Sequence, residues 1–490
     1  MFSMKKLVTF VALLPAAILL AGCAENPVTG QSDFVLMGED QELAIGRQSH
    51  GEILEEYGAY ENPRLQHYVQ SVGERLAANS HRANLVYRFT VIDSETVNAF
   101  ALPGGYIYIS RGLLALLNSE AELAAVLGHE IGHVTARHSV RQYTAQQAAG
   151  IGYTIGAILL PELRGAGARN VASLLSGAII RGYGRDHELE ADGLGAEYLA
   201  RSGYDPEAML QVIRVLKSQE VFEVARAKRE NRDPNVYHGV FATHPDNDTR
   251  LQEVVGRAGA LAAAGPGRVN REAYLRAIEG MTYGPSPREG VLRNGRFYHA
   301  GLGVTIQFPE GWRVENRPDR LLAAPPKNDA LSLVLLTDLN KRISPREFMV
   351  RRLKLDPVEG QSLSAGELPA YTALAWTNTP YGRRLARFTV VYFRDKAYIF
   401  TGARKDPDDE RKYRTEFLNT ALSLRALVAD EHELARGRQL KLRQATAHTT
   451  YAALAAESGL SNYAEDQLRL LNGDYPDGEP APGRLIKVVE

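Results

Sequence analysis

The sequence predicts an α+β protein with a mostly helical domain that contains a small sheet, then an α+β domain, then a small C-terminal module. Helical spacing of apolar residues runs through residues 41–258, interrupted near residues 86–110 by two strand-like runs. Alternating, β-rich runs dominate residues 297–428, and residues 431–490 follow a helix-helix-strand pattern. At 490 residues and 44% hydrophobic composition, the chain is long enough to divide into several domains.

The N-terminus has the layout of an export signal. Two lysines precede an apolar stretch that ends in Leu20-Ala21-Gly22-Cys23, so we predict a signal peptide over residues 1–22 and a tether over residues 23–40. The run resembles a bacterial lipobox, which implies that Cys23 becomes the acylated first residue of the mature protein. Cys23 is the only cysteine and cannot form an internal disulfide. The alternatives are an uncleaved signal anchor and a buried structural cysteine.

The residue after Cys23 indicates the location of the protein, and the net charge of the chain indicates which partners to expect. Ala24 follows Cys23, which for a lipoprotein of a Gram-negative organism implies the outer membrane, facing the periplasm. The 57 basic and 58 acidic residues give a formal net charge of −1. Because there is no basic excess to neutralise phosphates, we expect no nucleic-acid partner. We expect contact with a membrane through a lipid anchor at Cys23.

A candidate metal site begins on the helix predicted after Ser119, which forms a capping-box pattern with Glu122. Further along this helix, His129 and His133 are four residues apart, just over one turn. Their imidazoles therefore project from one face and can share one zinc ion per chain. Glu130 can act as a general base on a water molecule activated by the metal, without ligating the metal itself.

A catalytic zinc site needs a third protein ligand, and the candidate is Glu188 on a second predicted helix. Asp192, one turn later, is placed to accept the N–H of a zinc-bound imidazole. The alternative is an exposed, salt-bridged helix face. Two other histidines are predicted to stay off the metal. His138 lies about 140° further round the first helix than His133, and His187 points away from the face of Glu188.

The motif His-Glu-x-x-His followed by Arg-x-x-Glu-x-x-Ala-Asp resembles the gluzincin metallopeptidases that include HtpX, the CAAX prenyl protease and BepA. The resemblance covers roughly residues 30–260 and implies a zincin fold and zinc-dependent endopeptidase activity. It extends to the run from Asn98 to Ser110, which by this resemblance is the edge strand beside the cleft. An edge strand can pair with an extended peptide. We therefore predict a substrate strand at four residues of this run: Gly104, Gly105, Tyr106 and Ile107.

The resemblance also extends to Thr243-His244-Pro245. In similar proteins the histidine of this element can occupy the open zinc position and hold the enzyme latent, which implies a catalytic or regulatory role for His244. By chemistry alone, a histidine near zinc could equally stabilise the oxyanion of the tetrahedral intermediate, and the remaining alternative is a surface histidine.

The rest of the chain carries weaker signals. Residues 259–296 are predicted as a linker with a short helix, and we predict no site in the α+β domain over residues 297–428. The peptidase-like domain is predicted over residues 41–258, and no tetratricopeptide pattern follows it. Residues 431–490 resemble a LysM-type module, which binds peptidoglycan in other proteins, and an ordinary capping subdomain is the alternative.

Together these features predict a zinc-dependent metalloendopeptidase that degrades misfolded or stalled cell-envelope proteins, with Glu130 activating water and His244 regulating the site. The expected partners are unfolded or misassembled envelope proteins, the membrane and peptidoglycan. The alternative function is a chaperone or scaffold lipoprotein for outer-membrane assembly, with a latent zinc site filled by His244.

Overall fold

The computed structural model describes residues 23–145, 183–234 and 267–490, apart from Leu36, residues 318–319, residues 408–410 and Ser461. The chain forms two compact units, one made of residues 1–283 with 439–490 and the other of residues 284–438. The predicted C-terminal module thus lies, from Gln439 onward, in the same unit as the metal-motif helices. The predicted signal peptide lies outside the described residues.

The first unit is mostly helical, as the sequence predicts. The helix Pro63–Ala77 illustrates why, because the Asn62 side chain caps its first turn by accepting from the Leu65 N–H, and apolar residues at helical spacing are buried along one face. The helices of this unit before the C-terminal segment are α1 Glu39–Tyr57, α2 Pro63–Ala77, α3 Arg111–Leu116, α4 Glu120–Thr135, α5 Arg185–Arg201, α6 Ala208–Arg229 and α7 Arg271–Ile278. Residues 138–145 are also helical.

The N-terminal segment predicted as a tether is partly folded. Strands β1 (Cys23–Glu25) and β2 (Ser32–Phe34) form an antiparallel hairpin. Val35 and Met37 then pack against Val140 in a small apolar cluster. Among the described residues, no helix combines the length and the apolar character needed to cross a membrane.

A three-stranded sheet of the first unit corrects the predicted substrate strand. Its strands are β3 (Arg88–Ile92), β4 (Ala99–Leu102) and β5 (Tyr106–Ser110), in the order β3-β5-β4. Tyr106 and Ile107 begin β5, which pairs in parallel with β3 and antiparallel with β4, so neither side of this strand is open to a peptide. The predicted edge-strand role of these residues is therefore wrong.

Gly104 and Gly105, the other two residues of that prediction, form the turn between β4 and β5. Their φ angles of 81° and 85° are in the left-handed region, where glycine avoids the steric cost of a Cβ atom. They shape the turn, and β4 is the edge strand on this side of the sheet.

The C-terminal segment completes the core of the first unit. It carries helices α11 (Tyr451–Glu457) and α12 (Ala464–Asn472) and strands β18 (Arg438–Gln444) and β19 (Leu485–Val489), which form a sheet with β6 (Thr282–Tyr283) in the order β19-β18-β6. Its buried side chains share one apolar cluster with Leu123 and Leu127 of α4. The members from the segment include Leu440, Leu468, Leu471 and Ile486. These contacts make the segment part of the first unit's hydrophobic core.

Lys487 makes the deepest polar contact of this segment. Its fully buried Nζ donates to the carbonyls of Ala115 (2.6 Å) and Leu117 (2.7 Å), at the C-terminal end of α3. These carbonyls lack partners within the helix, and a lysine amine is a suitable donor there. Burial holds the pKa of Lys487 well below its usual value, while nearby Glu122 opposes that shift.

The second unit is an α+β domain, also as predicted. Its main sheet is antiparallel, in the order β10-β11-β12-β16-β15-β14-β13, and a smaller sheet has the order β17-β9-β8-β7. The strands are β7 Val291–Arg293, β8 Arg296–His299, β9 Val304–Gln307, β10 Arg313–Arg317, β11 Arg320–Ala324, β12 Ala330–Asp338, β13 Val358–Ala365, β14 Leu368–Thr379, β15 Gly382–Phe393, β16 Lys396–Arg404 and β17 Arg425–Ala426. Alternate residues of the central strands reach opposite faces, because Val390 and Ala397 join one apolar cluster and Val391 and Tyr398 join the other.

The helices of this second unit are short: α8 Pro345–Glu347, α9 Arg414–Leu422 and α10 Glu431–Ala435. The single turn α8 is followed by a π-helical turn at Phe348–Arg352.

We predict that Lys487→Met destabilises the first unit by about 1–3 kcal/mol, because two buried carbonyls lose their donor. The measurement is the midpoint of thermal or urea unfolding of the full chain. Lys441→Met is the matched control, since Lys441 lies in the neighbouring strand β18 and is partly exposed. Equal midpoints for the two variants would contradict a structural role for Lys487.

Candidate metal centre

Helix α4 is held in place over its whole length. The Ser119 side chain accepts from the Glu122 N–H at 3.1 Å, and the Glu122 carboxylate accepts from the Asn118 N–H at 2.7 Å. The predicted cap is therefore present, although Glu122 reaches the N–H one residue before Ser119. Every residue of α4 is buried. A histidine pair on such a helix has little freedom to move.

Helix α5 approaches α4 closely because small residues line their contact. A Cβ atom added at Gly132 would lie 3.0 Å from the carbonyl oxygen of Ala191, and one at Gly195 would lie 2.9 Å from the backbone nitrogen of His129. Larger side chains would thus force the helices apart. The close approach brings Glu188 to the histidine pair.

The three predicted ligands converge. His129 Nε2 lies 2.9 Å from His133 Nε2, and each of these nitrogens lies 3.5 Å from an oxygen of Glu188. Donor atoms about 2.0–2.1 Å from a tetrahedral zinc ion are about 3.3 Å apart, so this spacing suits zinc. Two imidazoles and a carboxylate are also a donor set that zinc accepts. Among the described residues, these three form the group able to hold a metal ion.

Asp192 orients the first histidine, as predicted. Its Oδ1 lies 2.8 Å from His129 Nδ1, and the carboxylate is fully buried. With the proton on Nδ1, the lone pair of Nε2 is directed to the metal position. Burial by itself would lower the pKa of His129, but the carboxylates of Asp192 and Glu188 raise it above its usual value.

His138 does not face away from the site, contrary to the prediction. That prediction assumed a helix continuing past His133, but α4 ends at Thr135 and Arg137 has φ 54°. Arg137 is held in this turn by Glu42, at 3.0 Å, and by the carbonyl of Met37, also at 3.0 Å. The chain therefore turns back and buries His138 against the predicted ligand His133.

The ring of His138 contacts the predicted ligand His133 directly. His138 Nδ1 lies 2.8 Å from His133 Nδ1, and His138 Nε2 lies 3.1 Å from Glu190 Oε2. The His138 hydrogen bond and the Arg141 guanidinium hold the pKa of Glu190 at about 2, although burial opposes this shift. Burial lowers the pKa of His138 despite the nearby Glu190 carboxylate.

Two rings flank this pair. Tyr183 stacks on His133 with ring centroids 4.1 Å apart, and its hydroxyl is 2.7 Å from Ser139 Oγ. His187 stacks on His138 at 4.3 Å. Burial, together with nearby His138 and Arg141, lowers the pKa of His187 to about 4. Sequence reasoning did not identify Tyr183, because it belongs to no recognisable motif.

Three predicted site residues remain: Glu130 is fully described, Cys23 only in its backbone, and His244 not at all. Glu130 is buried on α4 directly after His129, with 1% of its surface exposed. The Thr243-His244-Pro245 element lies outside the described residues. Cys23 begins strand β1, and its side chain lies outside the description.

The chain is similar to known peptidases over its first half. Residues 63–258 match the model of Peptidase family M48. The chain is 32% identical over 259 residues to the beta-barrel assembly-enhancing protease of Yersinia pestis, covering 51% of this chain and 49% of that protein. It is 34% identical over 264 residues to the putative beta-barrel assembly-enhancing protease of Vibrio cholerae, with coverages of 51% and 52%.

A mitochondrial relative is similar over a shorter stretch. The mitochondrial metalloendopeptidase OMA1 of Schizosaccharomyces pombe is 31% identical over 187 residues, which cover 37% of this chain and 54% of that protein. The chain spans about half the length of the curated relatives that it matches.

We predict that Gly195→Ala weakens zinc binding about tenfold and destabilises the protein by about 1–3 kcal/mol, because the added methyl group pushes α5 away from α4. Zinc affinity is measured by competition with a chromophoric chelator. Gly51→Ala is the control, since it also lies within a helix but has no atom within 4 Å of the added Cβ. If both variants bound zinc as tightly as the wild type, zinc affinity would not depend on the close contact between α4 and α5.

Proposed function

We propose that this protein is a zinc-dependent metalloendopeptidase of peptidase family M48, whose model residues 63–258 match. The observation that carries the proposal is the convergence of His129, His133 and Glu188, whose donor atoms lie within 4.8 Å of one another. These three residues would hold the ion. Asp192 supports the arrangement by fixing the tautomer of His129.

The chemistry follows from the positions of the side chains. A bound zinc ion lowers the pKa of a water molecule towards neutrality and polarises the scissile carbonyl. Glu130, next to His129 on the same helix, would act as the general base that accepts a proton from the attacking water and then donates it to the leaving amine. His129, His133 and Glu188 stay fixed throughout, because they project from two closely packed helices.

We assign the pairing with substrate to β4, Ala99–Leu102, in place of the start of β5. It is the edge strand on that side of the sheet, and an edge strand can accept an extended peptide through main-chain hydrogen bonds. Its four residues are buried. A peptide therefore reaches this strand only after a local opening, which suits an enzyme whose activity is controlled.

The proposed substrates are misfolded or stalled proteins of the cell envelope. Relatives named for enhancing beta-barrel assembly support this class. The lipobox-like run ending at Cys23 supports export and an acyl anchor, with the protein facing the periplasm from the outer membrane. For the C-terminal segment we favour a capping role over peptidoglycan binding, because its helices share the core of the first unit.

A second candidate function is a chaperone or scaffold lipoprotein with a latent zinc site. The observation in its favour is the burial of Glu130, the three ligands and the whole of β4. In both functions His244 is proposed to occupy or border the open position at the metal. The two functions differ in whether releasing His244 produces proteolysis.

We expect Glu130→Gln to bind one zinc ion per chain but to cleave an unfolded protein such as casein about 10²–10⁴-fold more slowly, because the general base is lost. Cleavage is followed by gel electrophoresis, and zinc content by metal analysis of the same samples. Removing zinc with a chelator should abolish wild-type cleavage, and adding zinc back should restore it. Undiminished cleavage by the zinc-loaded variant would exclude the assigned role of Glu130.

We expect His244→Ala to cleave casein at least several-fold faster than the wild type, because the open coordination position is released. The double variant with Glu130→Gln should remain inactive, which excludes a contaminating protease. A His244→Ala protein that binds zinc and unfolded protein yet cleaves nothing would favour the scaffold function.

A further inference from the structure

A continuous chain of polar contacts leads from the metal ligand His133 to the N-terminal hairpin. From His133 Nδ1 it passes to His138 Nδ1 at 2.8 Å, and from His138 Nε2 to Glu190 Oε2 at 3.1 Å. Glu190 Oε2 then accepts from Arg141 at 3.0 Å, and Arg141 Nε lies 3.8 Å from Asp33 of strand β2. The residues that follow His133 in this chain of contacts are not among the three predicted metal ligands.

The order of protons along this chain follows from the ligand. When His133 binds a metal through Nε2, the neutral imidazole carries its proton on Nδ1, which must then donate. His138 Nδ1 is therefore the acceptor. The remaining proton of His138 lies on Nε2 and donates to the carboxylate of Glu190, which Arg141 holds from the other side.

The surroundings keep these rings in position. His133 and His138 are each 0–1% exposed, so water does not compete for their nitrogens. The Tyr183 ring lies at 18° to the His133 ring, and the His187 ring lies at 19° to the His138 ring, so both planes are fixed by stacking. In the helix that begins at His138, Val140 packs against Val35 and Met37 of the segment after the N-terminal hairpin.

We propose that His138 is a positioning residue for the metal ligand His133, and that Glu190 and Arg141 set the tautomer in which it acts. This inference rests on the zinc site of the proposed function. The two histidine ligands would then be oriented by different means. His129 contacts the carboxylate of Asp192 directly, whereas His133 contacts a neutral imidazole that connects it to the carboxylate of Glu190.

The hairpin is the far end of the same chain. Asp33 is held by Asn26, whose Nδ2 donates to Asp33 Oδ2 at 2.8 Å. The pair of Arg141 and Asp33 is partly exposed and longer than a hydrogen bond, so it contributes less than the buried contacts. Effects of substitution should therefore decrease from His138 through Glu190 to Asp33.

The test measures zinc affinity, the absorption spectrum of the cobalt-substituted protein and the unfolding temperature of the metal-free full chain. His138→Phe keeps a ring of similar size but removes the nitrogen that accepts from the His133 N–H. We expect it to bind zinc about 10–100-fold more weakly, with a changed cobalt spectrum. His138→Asn places an amide oxygen near the position of Nδ1, and we expect it to recover most of the affinity.

Three further variants complete the series. Glu190→Gln should weaken zinc binding several-fold, and Asp33→Asn less than twofold. Glu197→Gln is the matched control, because Glu197 lies on the same helix and also pairs with an arginine, Arg201, but is outside the chain of contacts. It should leave zinc affinity and the cobalt spectrum unchanged.

Zinc affinity of His138→Phe within twofold of the wild type, with an unchanged cobalt spectrum, would overturn the inference. The inference would also be overturned if His138→Phe and His138→Asn lost zinc affinity equally and both metal-free variants unfolded at a lower temperature. That pattern would mean that His138 acts through packing alone. If the wild type itself binds no stoichiometric zinc, the proposed function fails as well. If the wild type binds zinc and cleaves casein while His138→Phe binds equally tightly, only the role of His138 is lost.

Discussion

The close packing of α4 against α5 is the constraint on which the candidate metal centre depends. Glycine at positions 132 and 195 allows the two backbones to approach to a distance that any larger side chain would prevent. Glu188 and Asp192 are thereby buried beside two histidines, with no exposed surface. Burying carboxylates is costly unless they are paired, and hydrogen bonds and a bound cation offset that cost. The fold therefore ties the stability of this core to occupation of the site.

Parts of the chain remote in sequence support this pair of helices. Lys487 binds the end of α3 just before α4 begins, and Arg137 ends α4 in a left-handed turn held by Glu42 of α1. The beginning and the end of α4 are thus fixed by the C-terminal segment and by the first helix, respectively. Segments that precede and follow α4 in the sequence thus both hold it in place.

Local features of the site could be predicted from sequence, whereas non-local ones could not. The spacing of His129 and His133 and the one-turn spacing of Glu188 and Asp192 are properties of single helices, and periodicity is enough to place them. His138 was misplaced because the turn at Arg137 depends on Glu42, about a hundred residues earlier. The strand order that makes β5 central likewise depends on a pairing with β3 that alternation within one strand does not reveal. The α+β class of the second unit followed from local alternation.

The second unit is an insertion in the sequence of the first, because residues 284–438 separate two stretches that share one hydrophobic core. During synthesis from the N-terminus, residues 439–490, which complete this core, become available only after residues 284–438. Closing it requires contacts between very distant residues, a topology that slows folding. The candidate metal site, which is built in this core, is therefore completed only after the inserted unit has been synthesised, so the order of assembly is encoded in the connectivity of the chain.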